Sequence, residues 1–154
     1  MSNEIMQSTV TEGYEVFKNE EGKFVRRATY NAWSSIIPVT KEQKIAMFNL
    51  MNSNDVGSPL KDYIGAEIEV ADVVFNPYTS IDEKTGEELP GVLSYIFTPD
   101  GIPYVTSSKS VYFSLKRMFQ WFGEPHYSEG ETVRIQVVEK KGREHKYVDI
   151  NIIG

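Results

Sequence analysis

Cysteine is absent from the 154 residues. Its absence excludes disulfides, zinc-thiolate sites and thiol catalysis together. Histidine is nearly absent: only His126 and His145 occur, in no spacing that suits a catalytic set or a metal. No apolar run approaches the roughly 18 residues of a membrane span. The opening MSNEIMQSTVTEG has neither the basic start nor the apolar stretch of a secretory signal, so a cytoplasmic location and no membrane contact are expected. No Walker-type glycine-rich loop and no internal repeat is present. These gaps argue against an enzyme, and no cofactor or metal is expected. Asp72, Asp82, Glu83, Glu87 and Glu88 could hold a divalent ion in principle, but the last four read as solvated loop carboxylates. Asp72, which interrupts an apolar strand, reads as a bulge or an outward-facing position.

Aromatic residues are plentiful. Nine Tyr, eight Phe and two Trp make up 12% of the chain. Charge is unevenly placed. The net charge is −6, yet residues 1–100 hold 8 Lys/Arg against 16 Asp/Glu, while residues 101–154 hold 8 against 6. A groove for an anionic partner needs local positive potential rather than a basic whole protein.

Residues 1–22 are polar and read as a flexible tail that serves self-association. Residues 23–63 read as an extended segment plus a short helix packed on a core. In that segment Thr40 and Gln43 match a capping box ahead of Ile45, Met47, Phe48, Leu50 and Met51. From residue 64 the pattern is regular. Strands are expected at 66–75, 92–97, 102–106, 132–139 and 145–153, and a helix at 107–123. Residues 76–91 read as a long polar loop, and 140–144 as a hairpin. Strand, strand, strand, helix, strand, strand is the order of the five-stranded Greek-key barrel called the OB-fold. The expected fold is therefore mainly β with helices: an OB-fold-like barrel over 64–154 with an N-terminal extension.

A sequence-tolerant single-strand groove needs cations along the backbone and rings on which bases stack. Alternation supplies both. Val133, Ile135 and Val137 share one face, Arg134 and Gln136 the other. Val148, Ile150 and Ile152 are expected inward, with Tyr147, Asp149 and Asn151 outward. Lys140, Lys141 and Arg143 sit in the joining hairpin, where they should project into solvent and add little stability. Tyr95 and Tyr104 are candidate platforms on the middle hairpin, although alternation in VLSYIF does not say which of its faces lines the barrel. Arg26 and Arg27 lie among Phe24, Tyr30 and Trp33 and complete the candidate set. Trp121 falls off the apolar stripe of its helix, as a lid on the core or an interface residue.

The stretches GKFVRRAT, then W.SIIPVT, then VYFSLKRMF give the chain a resemblance to the small single-stranded-DNA-binding proteins of Gram-positive phages and conjugative plasmids. It covers most of residues 22–152. The resemblance implies an OB-fold, no enzymatic activity and low sequence specificity. Its implied partner is single-stranded DNA, with RNA left open, in replication or transfer of a mobile element. Cellular single-strand binders end in an acidic recruiting tail; this chain ends in DINIIG. A structural or protein-interaction module with the rings as core is the alternative.

Overall fold

The computed structural model describes residues 9–11, 14–18, 21–28, 30–53, 56–127 and 131–154, with the backbone alone for the strands within 9–28. The chain forms two compact units. The first takes in the described residues up to Asn31 together with Pro77–Gly91; the second is Ala32–Asn76 with Val92–Gly154.

In the first unit β1 (Thr9–Thr11), β2 (Tyr14–Lys18) and β3 (Phe24–Ala28) form an antiparallel meander. The β2–β3 turn carries Gly22 at φ +80, where a side chain would be strained. Residues 9–11 and 14–18, expected within a flexible tail, are thus strands. Their short alternating pattern is easily passed over amid so many glutamates. The unit also holds the outer end of the hairpin made by β7 (Asp72–Ile81) and β8 (Glu88–Phe97). The turn is closed by Asp82 N–H donating to Glu87 O (2.9 Å) and Gly86 N–H donating to Asp82 O (2.7 Å). The stretch 76–91, expected as one long loop, is therefore mostly strand. Its polarity reflects two exposed faces rather than a lack of structure.

The second unit contains β4 (Trp33–Ser34), α1 (Lys41–Met51), β5 (Ser58–Pro59), a 3₁₀ turn (Leu60–Tyr63) and β6 (Glu67–Val70). The inner halves of β7 and β8 follow, then β9 (Pro103–Thr106), α2 (Lys109–Phe122), β10 (Val133–Lys141) and β11 (Lys146–Ile152). One sheet runs β11-β10-β6, the other β4-β7-β8-β9-β5. The strand expected at 66–75 divides at Ala71 and serves both. Ala71 N–H donates to Phe97 O (2.8 Å), and its carbonyl accepts from Tyr127 N–H (3.0 Å).

The capping box ahead of α1 is present. Thr40 Oγ1 accepts from Gln43 N–H (3.1 Å), and Gln43 Oε1 accepts from the N–H groups of Thr40 (3.1 Å) and Val39 (2.8 Å). Capping satisfies amides that the first turn leaves free. The helix lays Leu50, Met47 and Met51 over Val74, Tyr95, Leu93, Phe97 and Val105. Successive strand residues face opposite ways, so Phe75 packs on the other side, against Tyr112 of α2 (ring centroids 4.7 Å apart). Trp33 joins Phe75 and Phe119 at 5.8 and 5.1 Å. With both of its faces covered, β8 has Val92, Tyr95 and Ile96 fully buried. A doubly covered strand reads as a continuous apolar run, which is why VLSYIF offers no clear inside and outside.

Candidate nucleic-acid interface

The three-stranded sheet buries Val133, Ile135 and Val137 of β10 together with Ile68 and Val70 of β6. The register pairs Arg134 with Glu69, Gln136 with Glu67 and Asn151, and Lys140 with Tyr147. Arg134, Gln136, Lys140 and Tyr147 therefore share the opposite face, as their spacing predicts. Arg134 and Tyr147 are both exposed but stand six register steps apart, about 20 Å along the strands.

The cations on this face have acidic company. Arg134 Nη2 lies 3.2 Å from Glu69 Oε1, both side chains about half exposed. Gln136 Nε2 donates to Gly65 O at 3.4 Å. Lys140 Nζ donates to Asp149 Oδ2 at 2.8 Å, and Asp149 is buried, not outward in water as alternation suggested. Its other oxygen accepts from Ser114 Oγ of α2 (2.6 Å) and from Ile150 N–H (2.9 Å). Burial pushes the Asp149 carboxyl up. The hydrogen bonds from Lys140, Ser114 and Ile150 N–H and the nearby Lys140 charge outweigh that, so the group sits below its ordinary value. Lys140 is thus not a free hairpin cation. The alternation fails at Asp149 because α2 covers this part of the edge strand β11 and brings a hydroxyl to a carboxylate in an apolar run.

Lys141 and Arg143 differ. Both are exposed, and neither makes an ion pair or side-chain hydrogen bond among the described residues. Lys141 sits directly opposite Lys146 in the register. Like charges across a strand pair repel, and Lys146 is only loosely compensated by Glu139 at 3.8 Å. Tyr147, with 38% of its surface exposed, pairs with Lys140 and so lies on the face opposite Lys141 and Lys146, at the root of the same hairpin.

The middle hairpin contributes less than expected. Tyr95 is fully buried beneath α1, with its hydroxyl donating to Ser53 O at 3.4 Å. A ring without exposed face cannot receive a base, so Tyr95 is a core residue. Tyr104 is half-buried on the other sheet and meets Tyr63 edge-on at 5.1 Å. Arg26 and Arg27 lie on β3 in the first unit, with backbones opposite Val16 and Glu15; their side chains are outside the described part. Asp72 is a buried anchor. It accepts from Ser35 Oγ (2.8 Å) and meets His126 Nδ1 at 2.8 Å, tying β7 to two loops. Among the described residues no three His, Asp or Glu side chains gather into a group that would hold a metal.

A sheet face with an exposed tyrosine and a hairpin of solvent-projecting cations has the make-up of a sequence-tolerant, single-strand-binding module. The comparisons agree in kind. Residues 27–151 match the phi29-type family model described as Phage Single-stranded DNA-binding protein. The chain belongs to that family. It is 32% identical over 167 aligned positions to the Single-stranded DNA-binding protein of Bacillus phage GA-1, covering all of this chain and 97% of that protein. No solved structure matches. Among the described residues no helix is long and apolar enough to cross a membrane.

Proposed function

We propose that this protein binds single-stranded DNA without catalysis and with little regard to sequence, coating strands during phage replication in the host cytoplasm. The observation that carries the reading is the end-to-end likeness to the GA-1 protein. The hairpin cations Lys141 and Arg143 support it, and so does Tyr147, with Arg134 and Gln136 further along the face that Tyr147 shares.

The sheets β11-β10-β6 and β4-β7-β8-β9-β5, joined through Ala71, support reading the core as an OB-fold open between its third and fifth strands. α2 bridges that opening, where Ser108 Oγ donates to Val148 O at 2.7 Å. In this reading the turn at 142–145 is one of the loops beside the ligand groove. The outer face of β8, a common base platform in such barrels, is occupied by α1 here. The binding surface of the second unit accordingly shifts toward β10, β11 and their hairpin, with Tyr104 as a further candidate; in the first unit Arg26 and Arg27 of β3 are separate candidates for phosphate contact. The N-terminal strands serve self-association, since among the described residues β1 has β2 as its one neighbour and its other edge could pair with a second copy. Deleting residues 1–20 should reduce the mass in solution or the cooperativity of coating.

Titration with labelled oligo-dT, oligo-rU and duplex of equal length at two salt concentrations tests the function. Single strands should bind far more tightly than duplex, because only unpaired bases can stack. Equal affinity for the two would sink the proposal.

A further inference from the structure

Trp121 stands in the last turn of α2 with 84% of its surface exposed. The core does not use it: the buried face of α2 is Val111, Tyr112, Leu115 and Met118. Ser110, Ser114, Arg117 and Trp121 follow one another at i, i+4, i+7 and i+11 and so form a separate stripe. Two contacts place that stripe. Ser114 Oγ donates to Asp149 Oδ1 (2.6 Å), and Arg117 Nη2 donates to Ser114 Oγ (3.3 Å). Asp149 is also the carboxylate that Lys140 reaches from the neighbouring strand. The stripe therefore abuts the β10–β11 face: Lys140 reaches the buried acid directly, and Arg117 reaches the serine that donates to it. Trp121 lies seven residues beyond Ser114, about 10 Å along the helix axis.

The chemistry around the indole selects the occupant. α2 carries Lys109, Lys116 and Arg117 and no acidic residue; Glu124 is the first acid after its end. A protein contact draws on a contiguous apolar patch, whereas this stripe is two serines, an arginine and one indole. An exposed ring beside cations on an acid-free helix suits a polyanion that carries flat bases.

We infer that Trp121 is a base-stacking platform for single-stranded DNA, with Arg117 beside it for the phosphodiester backbone, so that the strand runs from the β10–β11 face on to α2. This rests on the single-strand-binding reading above and adds a path to it.

The chain has two tryptophans, so Trp33→Phe leaves Trp121 as the sole indole reporter. Oligo-dT should quench its emission in step with binding. In the parent background, where folding of that reporter is not at issue, Trp121→Ala should weaken oligo-dT binding about tenfold. Trp121→Phe should lose less than about threefold, because a ring remains to stack. Arg117→Ala should lower the salt slope by about 0.7. Unchanged emission at saturation, together with parent-like affinity of Trp121→Ala, overturns the inference while leaving the function intact. Parent-like affinity combined with loss of an assembly in sedimentation assigns the indole to a protein contact and overturns it equally. Failure of the parent to bind oligo-dT takes down both readings.

Discussion

Lys140 and Asp149 meet diagonally across the β10–β11 pair, Nζ to Oδ2 at 2.8 Å, with the lysine partly in water and the carboxylate buried. The pair turns what looks like a solvent-facing hairpin cation into a structural one. Removing Lys140 leaves the buried carboxylate without its cation, and a buried charge without its partner is costly.

The acid limb of stability should carry the signature of Asp149. Its folded pKa is depressed, so its contribution is complete above the unfolded carboxyl value of about 3.9 and is lost as pH falls through the lower folded value. Asp149→Asn should be less stable than the parent by about 1–3 kcal/mol at pH 7. That gap should narrow as pH falls below about 3.9, where the unfolded carboxyl takes up its proton, and close as pH passes through the lower folded value. Urea unfolding of both proteins between about pH 7 and about pH 2.5 measures it; a constant gap contradicts the assignment.

The hairpin cations should separate into two kinds. Lys140→Ala should lower stability by about 1–3 kcal/mol, since the Asp149 carboxylate loses its lysine. The double variant Lys141→Ala/Arg143→Ala should stay within about 0.5 kcal/mol of the parent. Its salt slope for single-stranded DNA should nevertheless fall by about 1.4, at about 0.7 for each phosphate that is no longer neutralised. Thermal melts and titrations at three salt concentrations distinguish these outcomes, and a parent-like slope would send the search for phosphate-binding groups to Arg26 and Arg27.

Tyr147 should behave as a ring and not as a charge. Tyr147→Ala should cost roughly 1–3 kcal/mol of binding with the salt slope unchanged, and Tyr147→Phe should bind nearly as the parent does. Equal losses in the two variants would mean that the hydroxyl, not stacking, holds the DNA.

Tyr95 should report on stability alone. Tyr95→Ala opens a cavity between α1 and the five-stranded sheet and should cost about 3–5 kcal/mol, by analogy with other large aromatic truncations. Tyr95→Phe loses the long bond to Ser53 O, worth about 1 kcal/mol, and its folded form should bind DNA as the parent does. Reduced affinity in a fully folded Tyr95→Phe would reopen its role in binding.

Local signals in the sequence were legible where one residue's chemistry decides. Thr40 and Gln43 announce α1, and the spacing of Val111, Leu115 and Met118 announces the buried face of α2. The alternation in β10 correctly puts Arg134 and Gln136 on one face. What escaped depends on partners far away in sequence. Tyr95 is interior because α1, more than 40 positions earlier, lies over it. Asp149 is interior because Ser114 and Lys140 make its burial tolerable. The stretch 76–91 passes for a loop because Pro77, Gly86 and Pro90 look like breakers. Only Gly86, at φ +72, takes a turn conformation; Gly91 lies within a strand, where a Cβ would fall 2.7 Å from the Tyr78 hydroxyl.

The hand-over at Ala71 makes the second unit mechanically indivisible. One continuous run of backbone is the edge of one sheet and then an inner strand of the next, and Ala71 is the joint, pinned from both sides by Phe97 and Tyr127. The amides of Ala71 and its neighbours on β6 and β7 should exchange with solvent only when the whole unit opens, long after those of the hairpin at 142–145.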